Sequence, residues 1–119
     1  AASGGPLVQH SLQMMLQLVS QGLITKEQVV EKMCHAPSKL FKIKKRGYIK
    51  EEYFADLVLI DPKQPYLVTS DNILYKCGWS PMEGQTFSST IKMTILNGKI
   101  AYQNGEVVPS PMGQILEFE

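Results

Sequence analysis

Apolar residues recur at Val8, Leu12, Met15, Val19 and Leu23, spaced by four, three, four and four. Such a stripe is one face of an amphipathic helix, and Gly22 is placed to end it. Just beyond, Thr25 and Gln28 stand at the two positions of a capping box, with Ile24 and Val29 at the staple positions around it. Val29, Val30 and Met33 then give a second helix its apolar side, and Pro37 suits the first turn of a third running through Leu40 and Phe41. Residues 7–43 therefore predict helix, helix, short helix. Met14, Met15 and Met33 read as packing on the apolar faces.

Past Arg46 the period changes. The run ADLVLID, residues 55–61, is short, apolar and closed by Asp-Pro, and PYLVTS follows at 65–70; both read as strands. Residues 91–108 carry two Asn-Gly pairs. Asn97-Gly98 lies between alternating apolar positions and predicts a hairpin, because a type I′ turn needs two residues with positive φ. Between these segments KCGWSPMEG, residues 76–84, crowds a cysteine, the only tryptophan, a proline and two glycines into nine positions. It reads as a structural turn in which Trp79 contributes buried area, Pro81 pre-sets φ and Gly84 permits a positive one. A helical third before a strand-rich remainder suggests two layers that each want partners from elsewhere.

Composition narrows the function classes. The chain has 119 residues, 44% hydrophobic and 19% charged, the balance of a soluble globular domain. Its formal charge of +1 provides no field for nucleic acid or an anionic membrane, and no apolar run reaches the ~18 residues of a membrane span. The expectation is a cytoplasmic protein with no nucleic-acid and no membrane partner. Cys34 and Cys77 read as reduced, partly buried thiols. Neither His10 nor His35 has a second ligand two or four residues on, and neighbours such as Cys34 and His35 diverge by about 100° on a helix. Six of the 12 basic residues lie between Lys39 and Lys50, where cations complement a helix C-terminus and solubilise a linker. Residue by residue, no complete catalytic or metal site is present.

Five segments carry a resemblance. RGYIKEEYFADLVLIDP (46–62) resembles a segment near the C-terminus of amidohydrolase-superfamily enzymes, where a glycine turn leads through an Ala-Asp pair into a strand. GWSPMEG (78–84) and ILNGKIAYQNG (95–105) look like the next landmarks of the cyclic amidases: dihydroorotases, hydantoinases and allantoinases. ASGGPLVQHSLQMML (2–16) and EKMCHAPSKLF (31–41) most resemble a bacterial dihydroorotase branch. Glu52 is a departure, standing where that family commonly has glycine.

The resemblance implies an α/β fold: residues 1–45 as the last outer helices of a TIM-barrel hydrolase, with a substrate loop at 1–6, and residues 46–119 as strands of a composite β-sandwich. It implies a zinc hydrolase interconverting dihydroorotate and N-carbamoyl-aspartate, with two zinc ions whose histidine, carboxylated-lysine and aspartate ligands lie upstream of this chain. No catalytic residue and no metal ligand is then expected within it. By position, AASGGP is the loop that presents backbone groups to substrate, which makes Ser3, Gly4 and Gly5 the candidate substrate-binding residues; a main chain approaches a planar anion only where side chains are absent. The expected partners are dihydroorotate, the N-terminal part of the same enzyme and a second copy of the protein in a homo-oligomer. Another cyclic amidase, or a non-catalytic amidohydrolase-like assembly partner, are the alternatives.

Overall fold

The structure is a computed structural model that describes residues 4–109 and 113–119. In chain order its helices are α1 (Ser11–Ser20), α2 (Lys26–Val30) and α3 (Ala36–Leu40). Its strands are β1 (Leu57–Asp61), β2 (Tyr66–Leu67), β3 (Thr86–Phe87), β4 (Thr90–Leu96), β5 (Lys99–Gln103) and β6 (Glu106–Val107). The chain divides into two compact units, Ala1–Leu23 with Asp61–Thr90, and Ile24–Ile60 with Ile91–Glu119.

In the first unit a 3₁₀ turn at Val8–His10 leads into α1. The helix closes as Gly22 takes φ +72°, so that Gly22 N–H reaches Val19 O and Leu23 N–H reaches Leu18 O, the paired bonds of a Schellman end. β2 and β3 pair antiparallel through Tyr66–Phe87 and Leu67–Thr86. The expected strand at 65–70 is shorter than the sequence suggests. Thr69 instead opens a 3₁₀ turn at Ser70–Asn72 with a reciprocal capping box, which draws the backbone out of the ladder.

The stripe that predicts α1 is only partly covered in this unit: Leu12, Met15 and Val19 are half-buried, while its two ends lie outside the helix and are open. Val8 is 81% and Leu23 68% exposed, whereas His10 is fully buried and Gln13 nearly so. The reason is polar. Gln13 Nε2 donates to Ser89 O at 3.3 Å, and Gln17 Oε1 accepts from Ser88 N–H at 2.9 Å. Two glutamines about one turn apart thus satisfy backbone groups between β3 and β4.

In the second unit the capping box forms as expected, with Gln28 N–H on Thr25 Oγ1 and Thr25 N–H on Gln28 Oε1. The second and third helices are not separate, however. Glu31–His35 winds as a π turn and passes directly into α3, with Ala36 N–H bonded to Glu31 O. Pro37, which lacks an N–H, comes next, where the bonding ladder has already shifted. A four-stranded sheet of order β1-β4-β5-β6 fills the rest. Asn97 and Gly98, at φ +51° and +77°, form the two-residue turn between Leu96 and Lys99, as the sequence predicts, and Asn104-Gly105 repeats it between β5 and β6. Near the C-terminus Phe118 bridges to Ile43.

Buried apolar side chains are few: among the described residues they are Val68 and Phe87 in the first unit and Val29 in the second. Met14 and Met15 are half-buried and Met33 is exposed, so the methionines do not form a closed core in this chain.

Candidate functional site

Of the three expected substrate-binding residues, Ser3 lies outside the described residues. Gly4 and Gly5 lie in the first unit, ahead of Pro6 and the Val8–His10 turn. Both are exposed. Gly4 takes φ +81°, a left-handed conformation that strains other residues, and a Cβ at Gly4 or Gly5 would meet nothing within 4 Å. The loop offers bare main chain, with open space where a side chain would stand at either glycine.

The turn beyond this loop is tightly held. Gln9 N–H donates to Tyr75 Oη at 2.8 Å, Gln9 Nε2 donates to Asn72 O at 2.7 Å, and Gln9 Oε1 accepts from Leu74 N–H at 2.8 Å. His10 beside it stacks on Phe87 and meets the edge of Tyr75, each at 6.0 Å between ring centroids. Its Nδ1 lies 3.3 Å from Ser80 Oγ, while Nε2 is buried without a hydrogen-bond partner. Burial pushes this imidazole below its ordinary value, because the charged form has lost its water. Sequence reasoning assigns neither residue a role.

The KCGWSPMEG stretch is a turn, but Trp79 does not anchor it. Trp79 is exposed and Ser80 is buried. The serine hydroxyl accepts Met82 N–H at 3.1 Å while facing His10, and Gly84 N–H reaches Val68 O. A small hydroxyl fits where indole does not and satisfies two neighbours at once.

The remaining candidates are structural. His35 Nδ1 pairs with Glu31 at 3.1 Å and the ring stacks on Tyr48 at 4.2 Å. Cys34 and Cys77 are free, and both are exposed rather than partly buried. Within the basic stretch Arg46 is not a solvated cation. Its guanidinium bonds Asp56, donates to Asn97 Oδ1 at 2.7 Å and lies 4.0 Å over the Phe54 ring. Asp56 also accepts Asn97 N–H at 2.8 Å, so the Ala-Asp pair before β1 ties the hairpin turn to Arg46. A cleft of about 330 Å³ is lined by Lys44, Lys45 and Arg46, but also by Glu117 and Glu119, and so presents no single sign of charge. Among the described residues no three His, Cys, Asp or Glu side chains come together to hold a metal ion. No helix there is long and apolar enough to cross a membrane.

Helices followed by antiparallel strands set the frame for comparison with known proteins. The model of the amidohydrolase family matches residues 2–101, and the chain belongs to that family. It is similar to the dihydroorotase of Pyrococcus furiosus, 34% identical over 113 residues, which cover 95% of this chain and 27% of that protein. It is similar also to the dihydroorotase of Pelobacter propionicus, 35% identical over 103 residues, 87% of this chain and 24% of the relative. Among solved structures, L-hydantoinase (dihydropyrimidinase) from Arthrobacter aurescens superposes with a TM-score of 0.87 at 30% identity, over 98% of this chain and 26% of that one. The chain spans about a quarter of the length of these relatives.

Proposed function

We propose that this chain is the C-terminal part of a dihydroorotase, a cytoplasmic enzyme of pyrimidine biosynthesis that interconverts (S)-dihydroorotate and N-carbamoyl-L-aspartate. The observation that carries this reading is the match to a dihydroorotase over 95% of the chain. In the hydrolytic direction water adds to the ring amide carbonyl and the C–N bond breaks. A carboxylate remains on one side, and the nitrogen takes a proton to leave a ureido group. Two zinc ions would supply an activated water when bound. Among the described residues no three potential ligands come together; the resemblance assigns the metal ligands and the reacting machinery to the rest of the enzyme.

This chain's own part is binding. Main-chain N–H groups at Ser3, Gly4 and Gly5 are assigned to the dihydroorotate anion, and the open space around Gly4 and Gly5 supports such an approach. Each bond to a charged group is worth ~1.5–3 kcal/mol. Gly4→Val in the intact enzyme should therefore raise KM about ten-fold or more, with kcat and metal content little changed if ground and transition states gain equally from the contact. Steady-state kinetics with metal analysis checks this. The likeness to L-hydantoinase favours a second reading, another cyclic amidase. Assaying the intact protein on dihydroorotate and on hydantoin separates the two, with preference for dihydroorotate expected.

A further inference from the structure

We infer that Gln9 is a positioning residue that holds the Gly4–Gly5 loop in place through the segment Asn72–Tyr75. The inference rests on the reading of that loop as substrate-facing. Gly4 and Gly5 are exposed and nothing lies within 4 Å of a Cβ built at either, so no side-chain packing at the glycines holds the loop. The first fixed point after it does. That point is the Val8–His10 turn, which has no side-chain cap of its own. Helical starts leave N–H groups that need acceptors, and here the acceptor for Gln9 N–H comes from 66 residues away, at Tyr75 Oη. The Gln9 amide then uses both of its ends on the same segment, donating to Asn72 O and accepting Leu74 N–H. Three bonds from one residue fix its backbone and side chain together, and Pro6, with its locked φ, lies between this anchor and the glycines. His10, packed against the same Tyr75 and against Ser80, reinforces the hold.

The test uses the full-length, metal-loaded enzyme with Gln9→Ala, Tyr75→Phe, Gly4→Val and the double variant Gln9→Ala/Gly4→Val. Gln9→Ala should raise KM for dihydroorotate about five-fold, the equivalent of one net hydrogen bond, while kcat and metal content stay near those of the wild type. A loss of fold stability alone would not split KM from kcat in that way. Both substitutions act through one loop, so the double variant should fall clearly short of the product of the two single effects. If Gln9→Ala does not fold, Tyr75→Phe decides, since it keeps the ring against His10 and removes only the acceptor; its KM should rise about three-fold. An unchanged KM in the folded variants, or fully multiplicative effects, alongside a raised KM in Gly4→Val, would overturn the role of Gln9 and leave the loop reading intact. An unchanged KM in Gly4→Val would overturn the loop reading, and the role of Gln9 with it.

Discussion

Glu52 stands at φ +64° in the turn before β1, a left-handed backbone that glycine adopts at no steric cost. The glutamate thus keeps the left-handed backbone and bears its cost, ~1 kcal/mol for a residue with a Cβ. Glu52→Gly should stabilise the intact protein by about 0.5 kcal/mol, since the more flexible unfolded chain takes back part of the gain. Gly47 shows the opposite case. It has φ +81°, and an added Cβ would lie 2.6 Å from Ser38 Cβ and 2.8 Å from Cys34 O. Neither neighbour yields easily, because Ser38 Oγ is bonded to Arg46 O at 2.8 Å. Gly47→Ala should cost about 2 kcal/mol or more. Urea unfolding of both variants reads the two signs, and a Gly47→Ala protein as stable as the wild type would contradict this account.

The 3₁₀ turn that opens α1 carries a titratable group whose burial links this element to pH. His10 is fully buried, and its described contacts are two aromatic rings and a hydroxyl. None of these stabilises an imidazolium as a carboxylate would, so burial lowers its pKa from the ordinary 6.5. A lowered value means that the unfolded chain binds the proton first. The stabilisation is complete above pH 6.5 and is lost as pH falls below it toward the folded value, with a slope of at most about 1.4 kcal/mol per pH unit. Urea midpoints at pH 8 and pH 5 should therefore separate more in the wild type than in His10→Gln. Equal separations would remove His10 from the pH response.

At the scale of the whole molecule the balance of buried and exposed apolar surface is unusual. Against three buried apolar side chains among the described residues stand exposed Val8, Ile49, Val58, Leu59, Trp79 and Ile115, among others. β1 is apolar on both faces, the pattern of a strand covered on both sides, yet it lies at the edge of its sheet. Edges and faces of this kind pair with whatever is available. The 119-residue chain expressed by itself should self-associate at micromolar concentration, as seen by sedimentation. A monodisperse monomer with cooperative unfolding would count against this.

Local chemistry was legible in the sequence wherever it acts over a few residues. The capping box at Thr25, the Gly22 stop and the Asn97-Gly98 turn are set by short-range bonds and by which residues tolerate positive φ, and a pattern of neighbours is enough to reveal them. The Gly4–Gly5 loop was singled out differently, by its position in the resemblance and not by short-range chemistry. Decisions that depend on distant groups were not legible. Which face of α1 is buried was settled by unsatisfied backbone groups at Ser88 and Ser89, which Gln13 and Gln17 meet across more than 70 residues. Pro37 looked like the start of a helix, but the π turn before it lets one helical run continue. Burial of Ser80 in place of Trp79, and the grip of Asn72–Tyr75 on Gln9, depend on which polar atoms the fold brings within about 3 Å of each other. Only the tertiary structure decides that, because a hydrogen bond depends on position in space and not on spacing along the chain.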